Sequence, residues 1–154
     1  MAIEIERKFL IKNNDWKTHV QTTQVIKQGY LSLDMDRTVR VRLVGNFAQL
    51  TIKSKTIGNS RHEFEYEIPV EDAQALVKMC IPPILDKTRH LVLHDNLTWE
   101  VDIFSGENEG LRVAEVELDS ENTALNLPDW VGQEVSGDAR YYNANLIQHP
   151  FCQW

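Results

Sequence analysis

Only two cysteines occur in the chain, Cys80 and Cys152, far apart and with no C-x-x-C around either. That excludes a disulfide framework and a thiolate zinc site, and both thiols read as reduced. No stretch approaches the roughly 20 apolar residues of a membrane-spanning helix, and charge starts at Glu4, before any apolar signal segment. A soluble, cytoplasmic protein with no membrane partner is therefore expected. Excess positive charge is missing as well. Sixteen Lys and Arg against 23 Asp and Glu leave a net charge of −7, which argues against a nucleic-acid partner but leaves room for a local basic pocket. There is no internal repeat, low-complexity tract or linker. His62, His90 and His94 lack metal-ligand spacing and read as surface or packing residues, and Trp16, Trp99, Trp130 and Trp154 read as core or edge packing. The 154 residues fit one domain, 1–154, large enough to bury about two-thirds of its unfolded surface.

What the chain does have is like charges spaced two residues apart: Glu4/Glu6, Arg40/Arg42, Lys53/Lys55, Glu63/Glu65, Lys87/Arg89, Glu100/Asp102 and Glu115/Glu117. Ile5, Val41, Phe64, Val101 and Val116 stand between the members of five of these pairs. Strand side chains alternate between two faces, so each pair shares one face and its in-between residue takes the other. Eight strands are expected, near 3–12, 24–34, 37–45, 47–55, 60–69, 84–95, 97–105 and 110–118. Gly45-Asn46, Gly58-Asn59, Asp95-Asn96 and the loop 105–110 supply turns. Connections this short imply antiparallel neighbours. Helical segments are expected near 14–20, 71–80, 120–126 and 138–148. The second puts Ala73, Leu76, Val77 and Cys80 on one stripe, and Pro150 ends the last.

An ordinary half-exposed sheet with ion pairs on its solvent face would account for alternation alone. Three observations point further. Nearly every strand takes part; the signs are grouped, with acids on strands one, five, seven and eight and bases on three, four and six; and the apolar face gives the helices something to cover. The other arrangement is a closed barrel with its charges inward, for which eight strands suffice. Adjacent like charges in such an interior repel unless something of opposite sign sits between them. Divalent cations would reconcile the carboxylates and a phosphate chain the Arg and Lys.

The ordered motifs resemble those of the CYTH superfamily, the triphosphate tunnel metalloenzymes. Glu4-x-Glu6-x-Lys8 resembles the N-terminal E-x-E-x-K signature. Gln28-Gly29-Tyr30-Leu31, Arg40-x-Arg42, Leu50-Thr51-Ile52-Lys53, Arg61-x-Glu63-x-Glu65, Lys87-Thr88-Arg89, Glu100-Val101-Asp102, Ala114-Glu115-Val116-Glu117, Glu134-Val135 and Asp138-x-Arg140-Tyr141 follow in the expected order. The resemblance covers essentially the whole chain and is closest to the small bacterial members. It implies an eight-stranded antiparallel barrel forming a tunnel, and hydrolysis or rearrangement of triphosphate compounds with Mg²⁺ or Mn²⁺.

On this basis Glu4, Glu6 and Glu117 are expected to hold metal. Glu115 and Asp102 either complete a second site or serve as inward ion-pair partners. Lys8, Arg40, Arg42, Lys53, Lys87 and Arg89 are expected to hold phosphate oxygens, Arg through its planar fork and Lys as a point charge. Glu63 and Glu65 either orient the cations or receive the second metal, or serve purely as structural ion-pair partners, and Lys55, of inward parity near a strand end, either joins the phosphate-holding set or stands at the rim. Lys87, crowded by cations, would have a lowered pKa and help activate water together with Tyr30, or else make one more phosphate contact. The C-terminal helix either plugs one mouth or lies outside. Inorganic tripolyphosphate is the leading substrate, since no base-binding insertion is evident. A class IV adenylate cyclase, a thiamine triphosphatase and a non-catalytic polyphosphate-binding module are the alternatives. The resemblance also allows a homodimer, for which the sequence shows no interface.

Overall fold

A computed structural model describes residues 3–154. Nine strands run through it: β1 (Ile3–Ile11), β2 (Val20–Ser32), β3 (Arg37–Val44), β4 (Phe47–Ser54), β5 (Ser60–Glu67), β6 (Ile81–His94), β7 (Leu97–Phe104), β8 (Arg112–Glu117) and β9 (Val131–Glu134). They pair in the order β5-β4-β3-β2-β6-β7-β8-β1-β9. The first eight close into an antiparallel barrel because β1 also pairs with β5, through Ile3↔His62, Glu4↔Arg61 and Ile5↔Ser60. Turns at Gly45 and Gly58 and at Asp95-Asn96 take the positive φ that such tight hairpins require.

The eight expected strands are all present, with two longer at their starts. Strand β2 begins at Val20, where it pairs with Val92, and β6 begins at Ile81, opposite Tyr30. Partners across the sheet override the local signals there, including Pro82 and Pro83, which break neither strand. The expected helix 14–20 is a 3-10 turn, Asp15–His19. The expected helix 71–80 is α1 (Val70–Met79). No helix forms at 120–126, which is bend and turn over 120–122 and irregular over 123–126. The expected helix 138–148 is broken into a 3-10 turn, Ala139–Tyr141, and α2 (Asn143–Gln148), with Tyr142 extended between them at φ −67°, ψ 131°. Strand β9 was not expected. It adds to β1 at Phe9 and Ile11, and four residues including Gly132 carry too little alternation to be read.

Outward-facing residues meet three coverings. Helix α1 lays Ala73, Leu76, Val77 and Cys80 over Val41, Ala48 and Leu50 of β3 and β4. The turn at Trp16 and the segment around Leu118–Val131 cover Phe9, Val92, Trp99, Val101 and Val116. Trp99 is fully buried, with Phe9 and Trp130 each 5.6 Å from it between ring centroids, contacts worth about 1 kcal/mol each beyond burial. The outer face of β5 has no such cover, and Phe64 and Tyr66 stay exposed. A third apolar cluster lies inside one end of the barrel. There Tyr30, Leu85, Phe104 and Val113 meet Tyr141, Leu146 and Ile147 of the C-terminal segment, so that segment plugs the mouth. No helix among the described residues is long and apolar enough to cross a membrane.

Candidate active site

Barrel order converts the charge pairs into two walls. Strands β4, β3, β2 and β6 are contiguous and carry Lys53, Arg40, Arg42, Lys87 and Arg89; β7, β8, β1 and β5 complete the circle with Glu100, Asp102, Glu115, Glu117, Glu4, Glu6, Glu63 and Glu65. Between them lies a cavity of about 110 Å³, with Arg40, Arg42, Lys53 and Arg89 on one side and Glu4, Glu6, Glu115 and Glu117 on the other. Two smaller cavities adjoin it. One of about 40 Å³ includes Glu6, Lys8, Ser136 and Tyr142; one of about 20 Å³ includes Tyr30, Met35, Thr38 and Tyr142. Arg61 and Asn143 line all three.

Several of these groups pair across the cavity. Lys53 Nζ lies 3.1 Å from both Glu4 Oε1 and Glu63 Oε2, and Arg61 Nε lies 3.3 Å from Glu4. Burial alone would raise the Glu4 carboxyl, but Lys53 and Arg61 bring it down to about 2. Lys8 donates to the Tyr141 carbonyl at 2.9 Å and lies 3.3 Å from Glu115 Oε1. Asp102, wholly buried, spends both oxygens on cations. Its Oδ1 accepts from Arg89 Nε at 2.8 Å, and its Oδ2 accepts from Lys87 at 2.8 Å and Arg89 at 2.9 Å. Those bonds overcome burial and hold its carboxyl near 2. The place expected for a second-metal ligand is thus taken by an ion-pair anchor. Arg89 also donates to Glu100 at 2.6 Å.

Other groups are left in surplus, and these distinguish the site from a self-satisfied network. Arg40 donates to Thr51 at 3.1 Å, but its buried Nε has no acceptor. Arg42 has only the Gln28 side chain at 3.0 Å; burial and the nearby Arg40 and Arg89 push it down to about 9, still cationic at neutral pH. On the acid wall, Glu115 Oε1 lies 3.3 Å from the Lys8 ammonium without an aligned hydrogen bond, and against burial Lys8, Arg89 and Lys87 hold its carboxyl well below the ordinary range. Burial and the facing carboxylates of Glu115 and Glu4 raise Glu6 well above its ordinary range. Burial, with Glu4 and Glu65 opposing the pull of Lys53, raises Glu63 to about 7. Burial, with Glu4, Glu100 and Glu65, raises Glu117. The acid wall is therefore short of positive charge at Glu6, Glu63 and Glu117, and the basic wall is short of acceptors at Arg40 and Arg42.

An all-oxygen donor set of crowded carboxylates fits a hard divalent cation. Among the described residues no three acidic, His or Cys side chains form a ready-made metal cage.

Position bears on three of the expectations. Lys55 follows the end of β4 and is exposed, so its correct parity does not bring it into the cavity. Lys87 lines none of the three cavities. It is 1% exposed, bonded to Asp102, with its ammonium 5.6 Å from the Phe104 ring. Burial, with Arg89 and Arg42 beside it, lowers its pKa to about 7 against the pull of Asp102. Tyr30 points inward, but its hydroxyl accepts from Gln28 at 3.4 Å and, among the described residues, no hydrogen bond joins it to Lys87. Arg61 was missed as a site residue, although its i, i+2 spacing from Glu63 already placed it on the inward face. Asn143 carried no signal, because it falls in the middle of the expected helix 138–148 and comes to a helix start only through the break at Tyr142.

Comparison with known proteins agrees with this geometry. The CYTH domain profile matches residues 2–149. An inorganic triphosphatase of Acetivibrio thermocellus is 43% identical over 152 residues, 98% of this chain and 97% of that protein. One from Nitrosomonas europaea is 36% identical over 148 residues, 93% of this chain and 95% of its own length. The crystal structure of the inorganic triphosphatase NE1496 superposes with a TM-score of 0.68 at 32% identity, covering 96% of this chain and 95% of that one. The chain belongs to the CYTH domain family.

Proposed function

We propose that the cavity hydrolyses a triphosphate in the presence of Mg²⁺ or Mn²⁺, with inorganic tripolyphosphate as the substrate. The observation that carries this reading is the surplus of both signs across one cavity: donors without acceptors on the basic wall and crowded carboxylates opposite. Near-full-length kinship with inorganic triphosphatases supports it.

Arg40, Arg42, Lys53 and Arg89 hold phosphate oxygens, with Arg61 and Lys8 at the edges. Glu4, Glu6 and Glu117 hold the cation, with Glu115 beside them, and Glu63 and Glu65 fix Lys53 and Arg40. When bound, the cation neutralises charge on the transferring and leaving oxygens. Asp102 and Lys87 act from behind as positioning residues, fixing the Arg89 fork toward the cavity. In the reaction the oxygen of water bonds to the terminal phosphorus as the bridging P–O bond breaks. Pyrophosphate leaves, and the two hydrogens of water stay with the new orthophosphate until one is lost to solvent. Free Cys80 and Cys152 support a reducing, cytoplasmic setting.

The test is phosphate release from tripolyphosphate, ATP, thiamine triphosphate and pyrophosphate, with Mg²⁺, with Mn²⁺ and with a chelator. Cation-dependent release, fastest from tripolyphosphate, is expected. No turnover of any triphosphate would overturn the reading, and cyclic AMP from ATP would replace hydrolysis with cyclisation.

A further inference from the structure

The two asparagines of α2 differ in a way that folding does not explain. Asn145 is satisfied, its amide donating to the Ala139 carbonyl at 2.7 Å across the turn that precedes the helix. Asn143 lines all three cavities, and among the described residues its side chain makes no hydrogen bond. Its Oδ1 is moreover buried. A buried acceptor without a donor costs roughly 1–3 kcal/mol, so its presence calls for something that supplies a hydrogen.

The surroundings say what that is. A carbonyl oxygen accepts and does not donate, so phosphate oxygens are the wrong partner for Oδ1 and water is the right one. The adjoining cavity of about 40 Å³ holds roughly three waters, and its polar lining includes Glu6, Lys8 and Ser136. It joins the central cavity at Glu4, Glu6, Arg61 and Asn143. The break at Tyr142 that splits the C-terminal segment sets Asn143 at this junction, where a continuous helix would have carried it round with the packing side.

Resting on the triphosphatase reading, we propose that Asn143 holds the attacking water. Its Oδ1 accepts a hydrogen from a water drawn from the smaller cavity and so holds that water where the two cavities join, apart from the cations that bind the phosphate chain. The water's oxygen is thereby aimed at phosphorus, and the bond changes are those of the hydrolysis already written. The C-terminal plug thus supplies a catalytic residue as well as a stopper.

Asn143→Ala and Asn143→Ser separate this role from others. The expected result is a loss in kcat on the order of 10²-fold, with KM for tripolyphosphate and the Mg²⁺ activation constant within about threefold and Tm within a few degrees. Calorimetric binding of tripolyphosphate to the protein in chelator should not change. Asn145→Ala, the control, should lower Tm and leave kcat alone. Unchanged kcat in Asn143→Ala would overturn the inference. A rise in KM alone would make Asn143 a phosphate contact, and a shifted Mg²⁺ constant would make it a cation ligand; either would overturn it too. A wild-type protein that releases no phosphate would instead sink the reading beneath it.

Discussion

The two ends of the barrel interior are built by the same strands and obey opposite rules. Going down the inward face, β1 passes from Glu4, Glu6 and Lys8 to Leu10, β6 from Arg89 and Lys87 to Leu85, β7 from Asp102 to Phe104, and β8 from Glu117 and Glu115 to Val113. The apolar end is finished, filled by Leu146 and Ile147 of the C-terminal segment. The charged end is unfinished, with carboxylates raised by their neighbours and guanidinium groups short of acceptors. Stability is generated where the interior is complete, and function where it is left incomplete for a ligand. The buried Lys87–Asp102–Arg89 group lies between the two. It is the point at which a charged interior has become self-paired.

Substituting one residue at each end should expose the difference. At the charged end, Glu6→Gln should cut turnover of tripolyphosphate by on the order of 10³-fold, since a carboxylate facing the transferring group is lost. The same change removes a carboxyl whose charged form is opposed first by burial and then by Glu115 and Glu4, so the metal-free protein should unfold at an equal or higher temperature. Steady-state kinetics and a thermal melt in chelator check both halves. Retained turnover, or a melt lowered by several degrees, would break the division between the two ends.

At the apolar end the outcome should invert. Leu146 is fully buried against the inward-facing cluster, and Leu146→Ala leaves a cavity costing about 3 kcal/mol, or roughly 10 °C in Tm for a chain of this size. Turnover per folded molecule, measured well below the transition, should stay within about threefold. A large loss of kcat in fully folded protein would mean that the plug's packing, and not Asn143 alone, belongs to the machinery.

Much of this division was legible in the sequence because it depends on a period of two. Parity put Glu4, Glu6, Arg40, Arg42 and Lys53 on one face, and the grouping of signs by strand anticipated two walls. Those walls become contiguous only through pairings that no local pattern announces. Strand β2 must pair with β6, and β1 must return to β5 through three residues. Parity also has a limit, which Lys55 shows: once the strand ends at Ser54, alternation no longer says where a side chain points. Arg61 shares the parity of Glu63 and Glu65 and so was legible, although its opposite sign leaves it outside the like-charge pairs. Asn143 was not legible, since its place depends on the break at Tyr142 and on which void the plug faces.

A charge pair outside the barrel supplies the smallest effect and sharpens the contrast. Arg7 meets Glu134 of β9 through Nε at 2.9 Å and Nη2 at 2.6 Å, and Ser136 donates to the same carboxylate at 2.6 Å. These bonds, led by Arg7, hold the Glu134 carboxyl below its ordinary range. A carboxyl with a depressed folded pKa contributes stability that is fully present above its unfolded value of about 4.5 and is lost as pH falls through the folded value. Both side chains are about one-third exposed, so solvent screening limits the contribution to under about 1 kcal/mol. Glu134→Gln should therefore lower stability slightly at pH 7, with the difference from wild type shrinking as pH falls below about 4.5 and turnover untouched. Urea unfolding at several pH values measures it. A difference undiminished at pH 3 would mean that Glu134 supports the β1–β9 pairing by packing and not by charge.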